Sequence, residues 1–156
     1  MKCCIGLTTL VLTLFAMFVV TAAPSAYAQQ CSLAGAAGPY GFTGTGTLLL
    51  PTGAVQIAAV GRINLRADGT LVGTEARSVG GDFANETLVG VWTVSANCTF
   101  TITAKVFVLG VLVRTSVLVG VLDENMTEAR DVQKSLTLPD GTKAPAAITF
   151  EARRIF

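Results

Sequence analysis

From Gln56 to Arg66 the chain alternates, with Ile57, Ala59, Gly61, Ile63 and Leu65 on one face and Gln56, Arg62, Asn64 and Arg66 mostly on the other. A period of two sends successive side chains to opposite sides of an extended backbone, so this segment is a strand with one dry face. Ala67-Asp68-Gly69-Thr70 follows at once. Asp-Gly tolerates the positive φ of a tight hairpin, so the next strand must return beside the first. The pattern recurs in Phe100, Ile102, Ala104 and Val106 set against Thr99, Thr101, Thr103 and Lys105.

Turn signals punctuate the rest of the chain, and no stretch carries a 3.6-residue apolar period. Strands are predicted over 40–50, 54–66, 70–79, 87–95, 98–109, 111–122, 126–138 and 145–156. The links between them are Pro51-Thr52-Gly53, Ala67-Asp68-Gly69, Gly80 to Glu86, Ala96-Asn97, Gly110, Asp123-Glu124-Asn125 and Pro139-Asp140-Gly141-Thr142. Short links force sequential antiparallel neighbours. The economical solution is an all-β, eight-stranded antiparallel up-and-down barrel, which leaves no exposed sheet edge; a two-sheet β-sandwich is the alternative.

The segment VFVLGVLVRTSVLVGVL, Val106 to Leu122, tests that reading. As a membrane helix it fails, because valine dominates, Gly110 and Gly120 interrupt it, and Arg114 in mid-bilayer would cost about 3 kcal/mol or more. As strand 111–122 it carries Val111, Val113, Thr115, Val117, Val119 and Val121 on one face and Leu112, Arg114, Ser116, Leu118, Gly120 and Leu122 on the other. Both faces are largely apolar, so one should line the barrel. The other should meet a second copy of the chain, making a homo-oligomer.

The N-terminus reads differently. Lys2, an apolar run over 5–20 and Ala26-Tyr27-Ala28 have the layout of a signal peptide over 1–28, leaving a single β-barrel domain over 29–156 and implying a secreted or periplasmic protein; an uncleaved anchor is the alternative. Removing Lys2 leaves ten basic against ten acidic residues, so the remaining chain is neutral and a nucleic-acid partner is not expected. Cys3 and Cys4 leave with the signal. Cys31 and Cys98 remain and, in an oxidising compartment, are expected to pair as a disulfide.

Histidine is absent from the whole chain. That removes His-dependent triads, His-ligated metal and haem sites, and imidazole acid-base catalysis. Asp123, Glu124 and Glu128 cluster without calcium-loop spacing, so a solvated turn is expected there. Gly41-Phe42-Thr43-Gly44-Thr45-Gly46 lacks the Lys-Ser/Thr and the helix of a phosphate loop and is read as strand that makes room for a neighbour. No metal or cofactor is expected. The candidate ligand-binding residues are Trp92, a large ring that could wall a cavity, and Glu75, Arg77 and Arg114, charges set within strands. A charge facing the interior would need a partner and would mark the polar end of a pocket.

Cys31-Ser32-Leu33-Ala34-Gly35, Gly38-Pro39-Tyr40-Gly41-Phe42, Ala59-Val60-Gly61-Arg62, Ala67 to Thr74, and Gly90-Val91-Trp92-Thr93-Val94 with Asn97-Cys98-Thr99 together resemble a group of small secreted bacterial β-barrel proteins of unknown function. The plan is similar to calycin and allene-oxide-cyclase-like barrels, and the resemblance implies a barrel that holds a small apolar molecule. Their catalytic residues have no matching motif here, so no mechanism carries over. The expected function is a secreted, non-catalytic barrel that binds a small apolar ligand or acts as an interaction module. One alternative is a cofactor-free, cyclase-like barrel enzyme. A small outer-membrane barrel ending in Phe156 is another, opposed by the polar outer faces of 54–66 and 98–105, so stable membrane insertion is not expected.

Overall fold

The computed structural model describes residues 30–155, and the expected signal peptide lies outside the described residues. Eight strands follow one another: β1 (Gly38–Leu50), β2 (Gly53–Leu65), β3 (Thr70–Val79), β4 (Asp82–Val94), β5 (Thr99–Val108), β6 (Val111–Leu122), β7 (Glu128–Thr137) and β8 (Ala146–Arg154). Each pairs antiparallel with the next, and β8 returns to β1 from Tyr40↔Arg154 to Leu48↔Ala146, closing the barrel. That closure excludes the two-sheet sandwich, whose outer strands would stay unpaired.

The turns follow the sequence chemistry. Gly69 and Gly141 have φ of 82° and 88°. In both hairpins the preceding aspartate fixes the reversal, with Asp68 Oδ1 accepting from Thr70 N and Asp140 Oδ1 from Thr142 N, each at 2.9 Å. Gly44 and Gly46 in β1 make room for β8. A methyl on Gly44 would strike the Phe150 ring, and one on Gly46 would strike the backbone of Ala147 and Ile148.

One boundary departs from the sequence reading. The stretch Gly80 to Glu86 reads as a link, but the reversal is confined to Gly80 and Gly81, with φ of 58° and 97°, and β4 begins at Asp82. Two consecutive positive-φ glycines complete the turn, so Asp82 to Glu86 are free to pair with β3. This brings Glu86 into the ladder directly opposite Glu75.

Residues 30–37 plug one end of the barrel. Ser32 caps the single-turn helix α1 (Leu33–Ala36), its Oγ accepting from Gly35 N at 3.1 Å, and Cys31 is disulfide-bonded to Cys98 in the β4–β5 turn. Tyr40 Oη lies 2.6 Å from the Met126 carbonyl and 3.1 Å from that of Ala36, donating between them. Arg154 Nη2 donates to the Gly35 and Ala37 carbonyls and its guanidinium sits 5.5 Å from the Tyr40 ring centre. Against this plug pack Leu65, Leu71, Trp92, Phe100, Leu122 and Met126, so the densest core sits at this end. Among the described residues the opposite end carries the strand reversals at 51–52, 80–81 and 109–110 and the segment 138–145.

Candidate functional site

Above the core the inner faces of the strands enclose a cavity of about 70 Å³, walled largely by apolar side chains that include Phe42, Ile57, Leu88, Ile102, Val106 and Phe150. Alternation aims these residues inward, as it does Leu118 and Ser116 on β6. Two register shifts adjust the pattern. One lies between Val106 and Phe107 on β5, and the other, at Val117/Leu118, leaves Lys134 of β7 without a ladder partner. An extra residue reverses the parity beyond it, so Asp131, Gln133 and Leu136 all reach the same cavity.

Three of the four sequence candidates meet in this interior. Arg114 from β6 places Nη2 2.5 Å from Glu75 Oε1 on β3. Its Nη1 is 2.9 Å from Glu86 Oε1 and 2.7 Å from Oε2, with its N–H directed at the first. Arg77 Nε donates to Glu86 Oε1 at 2.8 Å. Two guanidiniums therefore bond to two carboxyl groups, and the planar fork of Arg114 bridges both acids as a lysine could not.

The two acids do not titrate alike. Burial pushes the Glu75 carboxyl up to about 7, reinforced by the adjacent Glu86 carboxyl and opposed by Arg114. Burial also works against ionisation of Glu86, whose side chain is wholly buried, but the hydrogen bond with Glu75 and the charges of Arg114 and Arg77 outweigh it and hold Glu86 below the ordinary carboxylate value. Glu86 keeps the negative charge, and Glu75 gains or loses its proton near neutrality.

Trp92 stands apart from this cluster. Its ring is buried in the plug-end core, its Nε1 donates to the Arg66 carbonyl at 2.9 Å, and it borders a separate void of about 20 Å³. Asp131 lies between the two regions and borders both the main cavity and that void. Its Oδ1 is buried without a hydrogen-bond partner among the described residues, and burial alone pushes its carboxyl up to about 7.

Sequence reasoning missed Glu86 and Asp131. The first was hidden by a loop reading of the residues after Gly80-Gly81. The second shares inward parity with Ala129 and Gln133, a signal that was present in Glu128 to Gln133.

The acidic turn at Asp123 is a backbone cap. Its Oδ1 accepts from Thr127 N at 2.6 Å and from Glu128 N at 2.8 Å, and its Oδ2 accepts from Thr127 Oγ1 at 2.9 Å. Among the described residues no three His, Cys, Asp or Glu side chains gather as a metal-binding group.

No protein-family model matches the chain, and no curated protein matches it. Among solved structures, that of EF1p2_mFAP2b bound to DFHBI is similar, with a TM-score of 0.51, 13% identity, and coverage of 82% of this chain and 98% of that one. The likeness is one of fold. It agrees with the closed eight-stranded barrel.

Proposed function

We propose that this chain is a non-catalytic barrel that binds a small, mainly apolar ligand in its interior. The observation that carries the reading is the cavity itself, an apolar-walled space with a few polar groups converging on it rather than a fully packed core. At about 70 Å³ it lies well below the roughly 300–1,000 Å³ typical of drug-sized ligands, which limits the ligand to a small molecule unless the walls yield. Glu75, Arg77 and Arg114 form its polar side, and Trp92 supports the wall from the core beneath. A similar barrel bound to DFHBI supports the same reading.

Thermal-shift and calorimetric screening with small apolar compounds tests it, with Ala104→Leu as a cavity-filling control. The wild-type barrel should be stabilised by a subset of compounds and the filled variant by none. Equal responses from the two proteins, or none from either, would remove the interior as the binding site.

A secreted or periplasmic location belongs to this reading and is supported by the Cys31–Cys98 bond. Pairing of copies through β6 belongs to it as well. Val121 is 54% exposed on its outer face, and Val89, Val91 and Val132 on β4 and β7 are also exposed; the register shift at Val106/Phe107 takes Val111 off that face. Ten basic and ten acidic residues beyond position 28 leave two copies without net repulsion.

The sealed Arg–Glu cluster favours a second reading, a cofactor-free, cyclase-like enzyme in which Glu75 exchanges a proton and Arg114 steadies developing negative charge. Turnover of a reactive apolar substrate, lost in Glu75→Gln, would favour it over simple binding.

A further inference from the structure

Asp131 is a carboxyl in the wrong surroundings for its chemistry. The residue is only 8% exposed, and among the described residues no donor reaches its buried Oδ1. The other charged side chains facing the interior are Glu75, Glu86, Arg77 and Arg114, and these are committed to one another. The Gln133 amide, two residues away, donates to the Ser135 carbonyl. A buried acceptor left in this way costs on the order of 1–3 kcal/mol, and more if it is charged, so a group retained there calls for a partner from outside the chain.

Its neighbours narrow the partner's chemistry. Across the β7–β8 ladder Asp131 is opposite Phe150, which meets Phe42 edge to face with ring centres 6.2 Å apart. Across the β6–β7 ladder it is opposite Gly120, where a Cβ would collide with both Asp131 Cβ and Phe100 Cζ, so the absent side chain leaves Asp131 and Phe100 in one small space. Phenyl faces attract cations, and a carboxylate accepts hydrogen bonds and supplies the countercharge. A ligand hydroxyl offers a single donor and no charge. An anionic ligand would have to compete with Glu75 and Glu86 for the two guanidiniums.

We propose that Asp131, flanked by Phe42, Phe100 and Phe150, is the ammonium subsite of the barrel interior, so that the ligand class is a small lipophilic amine. The assignment rests on the proposal that the interior binds a ligand at all. The amine's apolar body fills the cavity while its N–H donors engage the Asp131 carboxylate. A protonated Asp131 releases its proton to solvent when the ammonium binds, so charge balances with no covalent step.

Isothermal titration calorimetry with isobutylamine and benzylamine against isobutanol and benzyl alcohol, on wild type, Asp131→Asn and Asp131→Ala, tests the assignment. At least one amine should bind wild type roughly tenfold or more tighter than its alcohol. Runs at about pH 6 in buffers of different ionisation enthalpy should show proton release. Both variants should lose the amine preference and keep alcohol binding, with far-ultraviolet circular dichroism confirming that they are folded. Equal amine and alcohol affinity in wild type, or an amine preference that survives in both variants, would overturn the ammonium subsite and leave the ligand reading standing. No binding of any of the four probes would overturn the subsite, and silence across the wider apolar panel as well would overturn both.

Discussion

Glu75 and Glu86 face each other across the β3–β4 ladder on the inside of the barrel, and a single guanidinium, that of Arg114, bonds to both. Two buried acids side by side would repel strongly if both were ionised and unpaired. The arrangement therefore depends on Arg114, and it joins β3 and β4 to β6, strands that are not ladder neighbours.

Arg114→Met should destabilise the barrel by about 3–5 kcal/mol, because it leaves Glu75 without a cation and Glu86 with Arg77 alone. The Arg114→Met/Glu75→Gln double variant should recover part of that loss. Urea unfolding near neutral pH measures both. A change under about 1 kcal/mol for the single variant would mean that the cluster contributes no more than a surface ion pair.

Asp131 should make stability fall with rising pH. A carboxyl raised to about 7 holds its proton more tightly in the native state than in the unfolded chain. Its contribution is therefore most favourable below the ordinary carboxylate pKa and is lost as pH climbs through that value towards about 7. Asp131→Asn cannot ionise, so it should match wild type near pH 4 and exceed it above pH 8 by up to about 4 kcal/mol. Denaturation midpoints across this range, with parallel curves for the two proteins, would refute the expectation.

The bond between Cys31 and Cys98 spans a sequence separation of 67 and ties the plug to the β4–β5 turn. Replacing both cysteines by serine should cost about 4 kcal/mol on the chain-entropy model. Hydrogen exchange should accelerate most around α1 and the 123–127 turn, where Tyr40 and Arg154 hold the plug through hydrogen bonds to the Gly35, Ala36, Ala37 and Met126 carbonyls.

Val119→Lys puts a charge in the middle of the outer valine face of β6 while leaving the inner face intact. It should convert a dimer or larger assembly to monomer, read by size-exclusion chromatography with light scattering, with no change in circular dichroism. A wild-type chain that is already monomeric at high concentration would remove the interface.

The barrel was legible because alternation and Asp-Gly turns are local signals, and Asp68-Gly69 and Asp140-Gly141 form the reversals their chemistry requires. The candidate site was legible only in part. Glu75, Arg77 and Arg114 stood out as charges inside strand patterns, but their meeting depends on strand tilt and shear, which bring β3, β4 and β6 together across the lumen. Glu86 was obscured by the tightness of the Gly80-Gly81 reversal, which let pairing start sooner than the glycines suggested. Asp131 was obscured by the irregularity near Lys134, since a bulge breaks the parity that would have grouped it with Leu136.

The plug makes the barrel a cup rather than a tube. Among the described residues the base is covered by α1 and its covalent tie, so a ligand of the proposed kind would be expected to enter past the rim formed by the 51–52, 80–81 and 109–110 reversals and the 138–145 segment. Exchange should then be governed at that rim, where Phe83 and Leu109 stand 67% and 99% exposed. If the interior binds the proposed ligand, changes there should alter how fast it fills and empties more than how tightly it holds.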